Sequence, residues 1–599
     1  MALNLKGILT PFTALKQLGK PPHTVAYPMV KKPTAERYRG FHFNDLDECI
    51  GCGTCGTICQ NGAIDMISLE GIEGKTGDSG LRPRVDNGRC CWCGLCVDVC
   101  PTGSLSLTQE YLYVTDDADS FLWIPGVDNP DGNNHKSFYP ETVDQSLLDY
   151  ARIPMPELAG KERVKSYAEV VLGYNQEEAQ AEAERCISCG LCVEACPEHM
   201  HIPEYINAIA RGEADMAVKI IYDNNPLGEL CGKVCTRRCE DVCSIAVRGE
   251  PVAIRWLKRY ATEQADNIDL IREIVDPEIL PPNGHKVGII GAGPSGLTAA
   301  YYLALKGYDV TIYEAKAHAG GMTMYGIPKY RLPMESLQKQ IGYMESIGVK
   351  IKFNTKIGVD VSFAELQKEH GAIFIGIGFE VPYTLGIEGE HFEGSIQAVN
   401  FLREVNAERP VEIGKQVVVI GGGNVAIDGA RIARRFGSDV TILYRRRVED
   451  MPADWEEIEG AEDEGVNILT QAIPLEIIAD KSGKVEAIKY GLAEMIDDGK
   501  GGRPRPRLIE GDEHIMPVDN IIGAIGQEAD YSFIPTDIKG QLEFSRGRMV
   551  TGELKETKLP WLFAGGDIAN NTADAISAIA DGYKAVKGIE KLFAQKSGE

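Results

Sequence analysis

Past the last cysteine, the apolar positions come in short β-branched runs, each closed by a glycine-rich turn and followed by a helical stretch. Lys286 to Ile290 leads into Gly291-Ala292-Gly293-Pro294-Ser295-Gly296. The helix that opens there is predicted to end near Gly307, and Asp309 to Tyr313 forms a second strand closing on Glu314. The unit recurs. Gln416 to Ile420 leads into Gly421-Gly422-Gly423-Asn424-Val425-Ala426, a helix follows, and Asp439 to Leu443 is the matching strand. Leu562-Phe563-Ala564 is a third apolar strand, running into Gly565-Gly566-Asp567 and a helix predicted over 573–582. Earlier in the chain the period is helical: an Ala/Glu-rich stretch lies between Glu177 and Arg185, and apolar residues recur at helical spacing from Ile202 to Ala217. Strand–helix–strand units in series predict an α/β fold with two Rossmann-like domains, preceded by a helical module.

The seventeen cysteines change the picture most, because all lie before residue 244. A disulfide framework favours an even count and no such segregation, so the thiols read as ligands. They form four blocks: Cys49, Cys52, Cys55, Cys59; Cys90, Cys93, Cys96, Cys100; Cys186, Cys189, Cys192, Cys196; and Cys231, Cys235, Cys239, Cys243. The first three share the spacing C-x2-C-x2-C-x3-C, in which three thiolates grip a [4Fe-4S] cube and the fourth reaches a neighbouring one. Zinc ribbons use two separated C-x2-C pairs without this third thiolate, so cubes are preferred. The crossover rule assigns Cys49, Cys52, Cys55 and Cys100 to one cube, and Cys90, Cys93, Cys96 and Cys59 to a second. Cys186, Cys189, Cys192 and Cys243 hold a third, and Cys196, Cys235 and Cys239 a fourth, with Cys231 the candidate for its last ligand. Only Cys91 is left over. The first two blocks, each followed by a similar turn into a strand, predict an α+β two-cluster ferredoxin domain.

The glycine turns carry a second chemistry. Their backbones approach a pyrophosphate at a helix N-terminus, where unpaired amides and the helix dipole favour negative charge. Glu314, twenty-three positions after Gly291, is placed to take adenosine ribose hydroxyls. The equivalent position after Gly421 is Tyr444, followed by Arg445, Arg446 and Arg447. An acid would repel a 2′-phosphate, whereas an arginine fork pairs with it, so the second site is expected to prefer NADP(H). The competing reading makes the three arginines a solvated surface patch. Asp567, at the end of its strand, is placed to meet the ribityl chain of a flavin.

Composition removes whole classes of function. A formal net charge of −26 and a pI near 5.0 speak against a nucleic-acid or anionic-membrane partner. No apolar run reaches transmembrane length and no secretory signal is evident, so a cytoplasmic location is expected. Residues 111–150 read as a linker; Asp128-Asn129-Pro130-Asp131-Gly132-Asn133-Asn134 looks like a calcium loop but lacks its spacing and terminal glutamate. No Ser/His/Asp or H-E-x-x-H constellation is visible, and the Met1-Ala2 start offers no N-terminal cysteine nucleophile, which excludes a complete glutamate synthase in this chain.

Two resemblances add to this reading. The first ~110 residues resemble the two-cluster ferredoxin subunit of respiratory complex I, carried by Leu5-Lys6-Gly7, Tyr38-Arg39-Gly40 and the first two cysteine blocks. That implies a docking stripe of Leu5, Ile8, Leu9, Phe12 and Leu15, which equally reads as a cap on the chain's own core. From about Ile153 the chain resembles the small subunit of glutamate synthase and the electron-entry module of dihydropyrimidine dehydrogenase. The carriers are Arg152 to Glu157, the third and fourth cysteine blocks, Gly326-Ile327-Pro328, Arg331-Leu332-Pro333, Met451-Pro452-Ala453, Ala524-Ile525-Gly526-Gln527 and Ala564 to Asp567. This resemblance implies FAD in the first fold, NADPH in the second and clusters beside the flavin. It carries Arg331 over as a flavin contact, and Asn424, Arg445 and Arg446 as nucleotide contacts. The expected cofactor set is completed by Gly291, Gly293, Pro294, Ser295, Gly296, Glu314, Ala315, Gly321, Met322, Gly566 and Asp567 for FAD, and by Gly421, Gly423, Val425, Ala426 and Gly526 in and beside the nucleotide fold.

The expected plan is an extension over 1–47, a ferredoxin domain over 48–110, the linker, and a helical iron–sulfur domain over 151–280. An FAD domain follows in two pieces, 284–390 and 524–599, flanking an NADPH domain at 391–523. The expected activity is electron transfer between NADP(H), FAD and four [4Fe-4S] clusters, to or from a partner subunit or a ferredoxin. A subunit of a larger complex, such as an electron-bifurcating transhydrogenase, is weighed against a stand-alone NADPH:ferredoxin-type oxidoreductase and against the glutamate synthase small subunit serving a separate large one.

Overall fold

The first three cysteine blocks share one local device. The residue after the second cysteine is Gly53, Gly94 or Gly190, each left-handed at φ 76°, 84° and 80°, a conformation that costs glycine nothing. The chain reverses there and starts the short helix that bears the third cysteine. The computed structural model describes residues 32–69, 71–72, 77–111, 113, 118–130, 151–247, 249–264, 271–272, 278–496 and 504–597. They form two compact units, divided between Asp149 and Tyr150.

The first unit contains β1 (His42–Asn44), α1 (Thr54–Ile58), β2 (Ile64–Ser68), β3 (Leu81–Asp86), α2 (Leu95–Asp98), β4 (Leu105–Leu107) and β5 (Leu122–Trp123). β1 pairs antiparallel with β4, and β3 lies between β2 and β5. Ile64, Val85, Cys96 and Leu105 make its core. Part of the expected linker belongs here instead: Trp123 is buried and stacks on Phe41 at 4.6 Å, and Asn129 donates to the His42 carbonyl at 2.7 Å. Asp128, read as a loop residue, accepts from the Ile124 N–H at 2.6 Å. The apolar stripe from Leu5 to Leu15 and the stretch 131–150 lie outside the described residues.

The second unit opens with helices. Those used below are α3 (Gln176–Glu184), α4 (Leu191–Ala195), α5 (Ile202–Ala210), α6 (Ala214–Asn224), α7 (Gly228–Val234) and α8 (Ile254–Gln264). Asn175 and Glu178 cap α3 reciprocally. The helical spacing expected across 202–217 resolves into two helices, because Gly212 turns left-handed between α5 and α6.

Two parallel five-stranded sheets follow. β6 (Lys286–Ile290), α9 (Pro294–Leu305), β7 (Asp309–Tyr313), β8 (Lys350–Lys352) and β9 (Ala372–Ile375) build most of the first. The second comprises β10 (Ser395–Gln397), β11 (Gln416–Ile420), α10 (Asn424–Arg435), β12 (Asp439–Leu443), α11 (Trp455–Asp463) and β13 (Asn467–Leu469). An antiparallel flap of β14 (Ala472–Ala479), β15 (Val485–Ile496) and β16 (Arg505–Pro517) precedes its last strand, β17 (Asn520–Gly523). The chain then returns to the first sheet with β18 (Leu562–Ala564) and α12 (Ala575–Ser597), which starts two residues later and runs far longer than expected. The orders are β18-β9-β6-β7-β8 and β10-β17-β11-β12-β13. In both, the strand before the glycine turn has neighbours on either side, so its C-terminal end faces the crevice where such sheets bind ligands.

Candidate functional site

Two cavities are walled by four sulfurs each. Cys49, Cys52, Cys55 and Cys100 line one of about 320 Å³, and Cys186, Cys189, Cys192 and Cys243 line another of about 350 Å³. Both are three-plus-one sets with the fourth cysteine arriving from a later block. Cys90 is within electrostatic reach of Cys59, Cys91 and Cys93, and Cys96 of Cys90, Cys55 and Cys59, so the members of the second set lie near one another and near Cys55 and Cys91. Cys196, Cys231, Cys235 and Cys239 lie within electrostatic reach of the Lys258 ammonium. Cys91 is exposed. Burial pushes Cys55 and Cys90 up to about 11 and Cys96, Cys192 and Cys231 up to about 12. Cys100 goes the other way: burial opposes ionisation, but hydrogen bonds from Ser104 and Thr102 bring it to about 6. Buried thiolates in such numbers need positive charge between them, which an iron–sulfur cube supplies, and the donor sets fit that group.

The C-terminal end of the first sheet opens into a cleft of about 1050 Å³. Gly291, Gly293, Pro294, Ser295, Glu314, Ala315, Gly321, Met322, Gly566 and Asp567 all line it. Gly291 stands at φ 97°, and a Cβ there would lie 2.7 Å from the Gly376 carbonyl. Gly296 does not line the cleft; a Cβ on it would meet the Gly291 carbonyl at 2.1 Å, so it is the residue that lets α9 pack against β6. Glu314 accepts from the Ala292 and Lys316 N–H groups at 2.8 and 2.9 Å, and burial raises it above the ordinary carboxylate range. Burial, with Asp574 nearby, pushes Asp567 up to about 6. A cleft of this volume, lined by a glycine turn and by the carboxyls of Glu314 and Asp567, fits a flavin dinucleotide. The sequence reading missed Gly376-Ile377-Gly378 and the Lys316–Glu380 ion pair; a glycine pair directly after the β9 run was the available signal.

Arg331 is not brought to this cleft. Its guanidinium donates to both Asp428 oxygens at 2.8 and 3.0 Å and lies 2.8 Å from Glu457, carboxylates of α10 and α11 in the second dinucleotide domain. The Arg331 position therefore ties the two dinucleotide domains together.

The second glycine turn repeats the first with different neighbours. Gly421 has φ 147°, and a Cβ would lie 2.3 Å from the Ala524 carbonyl. Gly423 caps α10, Ala426 is fully buried, and Val425 is half-buried on the first turn. Asn424 accepts from the Asp454 N–H at 2.9 Å. Gly526, at φ 118°, follows β17 and accepts from the Tyr383 N–H at 3.0 Å. Tyr444 occupies the place of Glu314: its ring packs against Gly422 and its hydroxyl donates to the Asp450 carbonyl at 2.7 Å. Arg445 is exposed, while Arg446 donates to the Pro504 carbonyl at 3.1 Å.

An ion-pair belt joins the cysteine module to both dinucleotide domains, and nothing in the sequence marked it. Arg237, between Cys235 and Cys239, donates to Asp454 at 2.7 Å and pairs with Glu456 at 2.6 Å. Arg255 also pairs with Glu456, and Arg238 pairs with Asp574. Asp574 is within electrostatic reach of both Cys235 and Asp567, so the fourth cysteine set and the flavin cleft share a neighbour.

Comparison with known proteins matches this layout. Residues 163–270 match the model described as dihydropyrimidine dehydrogenase domain II, 4Fe-4S cluster, and 285–582 that of pyridine nucleotide-disulphide oxidoreductases. Residues 48–104 and 82–197 match 4Fe-4S dicluster domains, a coarser likeness than the complex I ferredoxin. The NADPH-Fe(3+) oxidoreductase subunit beta of Geobacter sulfurreducens is 36% identical over 67% of this chain and 64% of its own length. The chain thus spans less than two thirds of that relative. The NADP(+)-dependent formate dehydrogenase subunit beta of Moorella thermoacetica is 35% identical, over 76% of this chain and 69% of its own. The glutamate synthase [NADPH] small chain of Escherichia coli is 32% identical over 74% of this chain and 97% of its own. No described helix is long and apolar enough to cross a membrane.

Proposed function

Because the chain belongs to the FAD–NADPH iron–sulfur oxidoreductases typified by dihydropyrimidine dehydrogenase and the glutamate synthase small chain, we propose that it passes electrons between NADP(H) and a partner redox protein through a flavin and four iron–sulfur cubes. When bound, nicotinamide and flavin exchange a hydride, and cubes carry the electrons singly. The residues do the rest. The Gly291 turn and the α9 N-terminus receive a pyrophosphate, Glu314 takes ribose hydroxyls, and Asp567 meets the ribityl chain. The Gly421 turn with Arg445 and Arg446 holds NADPH by its 2′-phosphate. The four cysteine sets ligate about sixteen irons.

The observation that carries this reading is the Arg238–Asp574 ion pair, which joins the segment bearing Cys239 to the start of the helix whose Ala578 lines the cleft. Anaerobic purification with iron, sulfide and flavin analysis, followed by reduction with NADPH, tests it. About sixteen irons, one FAD and bleaching of the flavin are expected; colourless or zinc-loaded protein would end the proposal.

We assign the chain to a cytoplasmic multi-subunit complex in preference to a stand-alone NADPH:ferredoxin oxidoreductase, because the three relatives above are named as subunits or a small chain. Native mass of untagged protein from its own cells decides. A lone species fully active with NADPH and soluble ferredoxin removes the subunit reading.

A further inference from the structure

Helix α8 presents three cations to the interior, and they are treated differently. Arg255 pairs with Glu456, and Arg259 with Glu169 and Glu263. Lys258, between them, is 5% exposed and pairs with no carboxylate among the described residues. Its ammonium donates to the thioether of Met200 at 3.2 Å, a weak acceptor that also faces the Asn225 amide at 3.7 Å. Cys196, Cys231, Cys235 and Cys239 all lie within its electrostatic reach. An unpaired ammonium in such a place is very costly, and the anionic centre that these cysteines would hold is a counter-charge available to it.

Among the described residues, no cation lines the cavity of the other cysteine set of the same module. Cys189 receives a hydrogen bond of 2.8 Å from the Ser244 hydroxyl, and the cavity is lined by sulfur and aliphatic side chains such as Ile187, Ile206 and Ile254. Cys235, by contrast, shares Asp574 with the flavin cleft. The set with the buried charge is therefore the one adjoining the cleft.

We infer that Lys258 is a positioning residue of the electron path: its fixed charge raises the reduction potential of the Cys196–Cys231–Cys235–Cys239 centre, making that centre the first acceptor from the flavin. The step adds one electron and no proton to the centre, supplied by the reduced cofactor of the cleft, so the centre becomes one unit more negative. A buried cation within electrostatic reach favours that state, since little solvent screens it. The inference rests on the proposed cluster assignment.

The test is an anaerobic, EPR-monitored redox titration of the whole chain as wild type, Lys258→Met and Lys258→Arg, with iron counted in each. In Lys258→Met one centre should show its reduced-to-oxidised ratio at fixed potential fall at least about tenfold, ~59 mV for a one-electron couple, while the other three are unmoved. Lys258→Arg should restore the wild-type ratio. Loss of about four irons from the methionine variant, with retention in the arginine variant, also supports a requirement for the charge. All four potentials unchanged in Lys258→Met with iron intact would overturn the inference, as would equal iron loss in both variants. Wild type lacking about sixteen irons would overturn the cluster assignment instead, so the two failures are distinct.

Discussion

The two dinucleotide folds repeat one strand–turn–helix–strand plan with a crevice at the same end of the sheet, yet they meet their ligands with opposite chemistry. In the first, the second strand ends on Glu314, whose carboxylate is locked by two backbone N–H groups, and a half-buried acid, Asp567, also lines the cleft. In the second, the corresponding strand ends on Tyr444, whose ring covers Gly422, and arginines stand beyond it. The strand in the place of β18 is β10, which runs into Ala398-Val399-Asn400, with no acid there. The lesson is that the glycine turn supplies generic pyrophosphate binding, while a handful of residues at the strand ends choose the nucleotide.

The largest effect should come from the turns themselves. Gly291→Ala forces a side chain into a left-handed position against the Gly376 carbonyl and should empty the protein of FAD, read as flavin absorbance per chain. Gly421→Ala should keep the flavin and lower its rate of reduction by NADPH by roughly 100-fold or more, of the size such strain and overpacking cost. If Gly421→Ala lost flavin instead, the division of labour would be wrong. Replacing Arg445 and Arg446 together by alanine should raise KM for NADPH by roughly 10- to 100-fold, the worth of charge-assisted hydrogen bonds, and leave KM for NADH nearly unchanged. Equal effects on both nucleotides would return the arginines to the solvated-patch reading.

A smaller effect distinguishes the first fold by pH. The Asp567 carboxyl is raised from 3.8 to about 6 by burial and by Asp574, so the folded state prefers it protonated. Below about pH 4 both states are protonated and no penalty exists; as pH rises toward 6 the folded state must hold a buried charge and loses stability. FAD-free Asp567→Asn should therefore be more stable than FAD-free wild type at pH 7 by about 2 kcal/mol, with the gap closing near pH 4 in denaturant titrations. A gap that persists at low pH would show that packing, not charge, separates the two. The smallest change is Tyr444→Phe, which removes the hydrogen bond to the Asp450 carbonyl and should cost about 1 kcal/mol of stability while leaving KM for NADPH unmoved.

Much of the site was legible because its signals are local. Cysteine spacing, the left-handed glycine after the second cysteine of a block and the strand–glycine–helix pattern all act over a few residues. The grouping of Cys100 with the first block and Cys243 with the third also followed from spacing, through the crossover rule. Local signals misled where a long-range partner intervened. Arg331 was carried to the flavin by resemblance, whereas Asp428 and Glu457, roughly a hundred residues away in sequence, hold it elsewhere. Residues 118–130 looked like linker because their composition is turn-rich, and only the stacking of Trp123 on Phe41 shows them to be core.

The sequence by itself determined the candidate chemistry: the spacing of the four cysteine blocks, the places of the two glycine turns, and that an acid follows one second strand and arginines the other. These follow from backbone geometry and ligand spacing within one element. Only the tertiary structure decided what those groups feel. Lys258 is an ordinary helix lysine until folding buries it within electrostatic reach of four cysteines from two separate blocks, and Asp574 is a helix-start acid until Arg238 pairs with it. Charge acts through space and its strength depends on what excludes water, so electrostatic roles are set by folding together residues that the sequence keeps far apart.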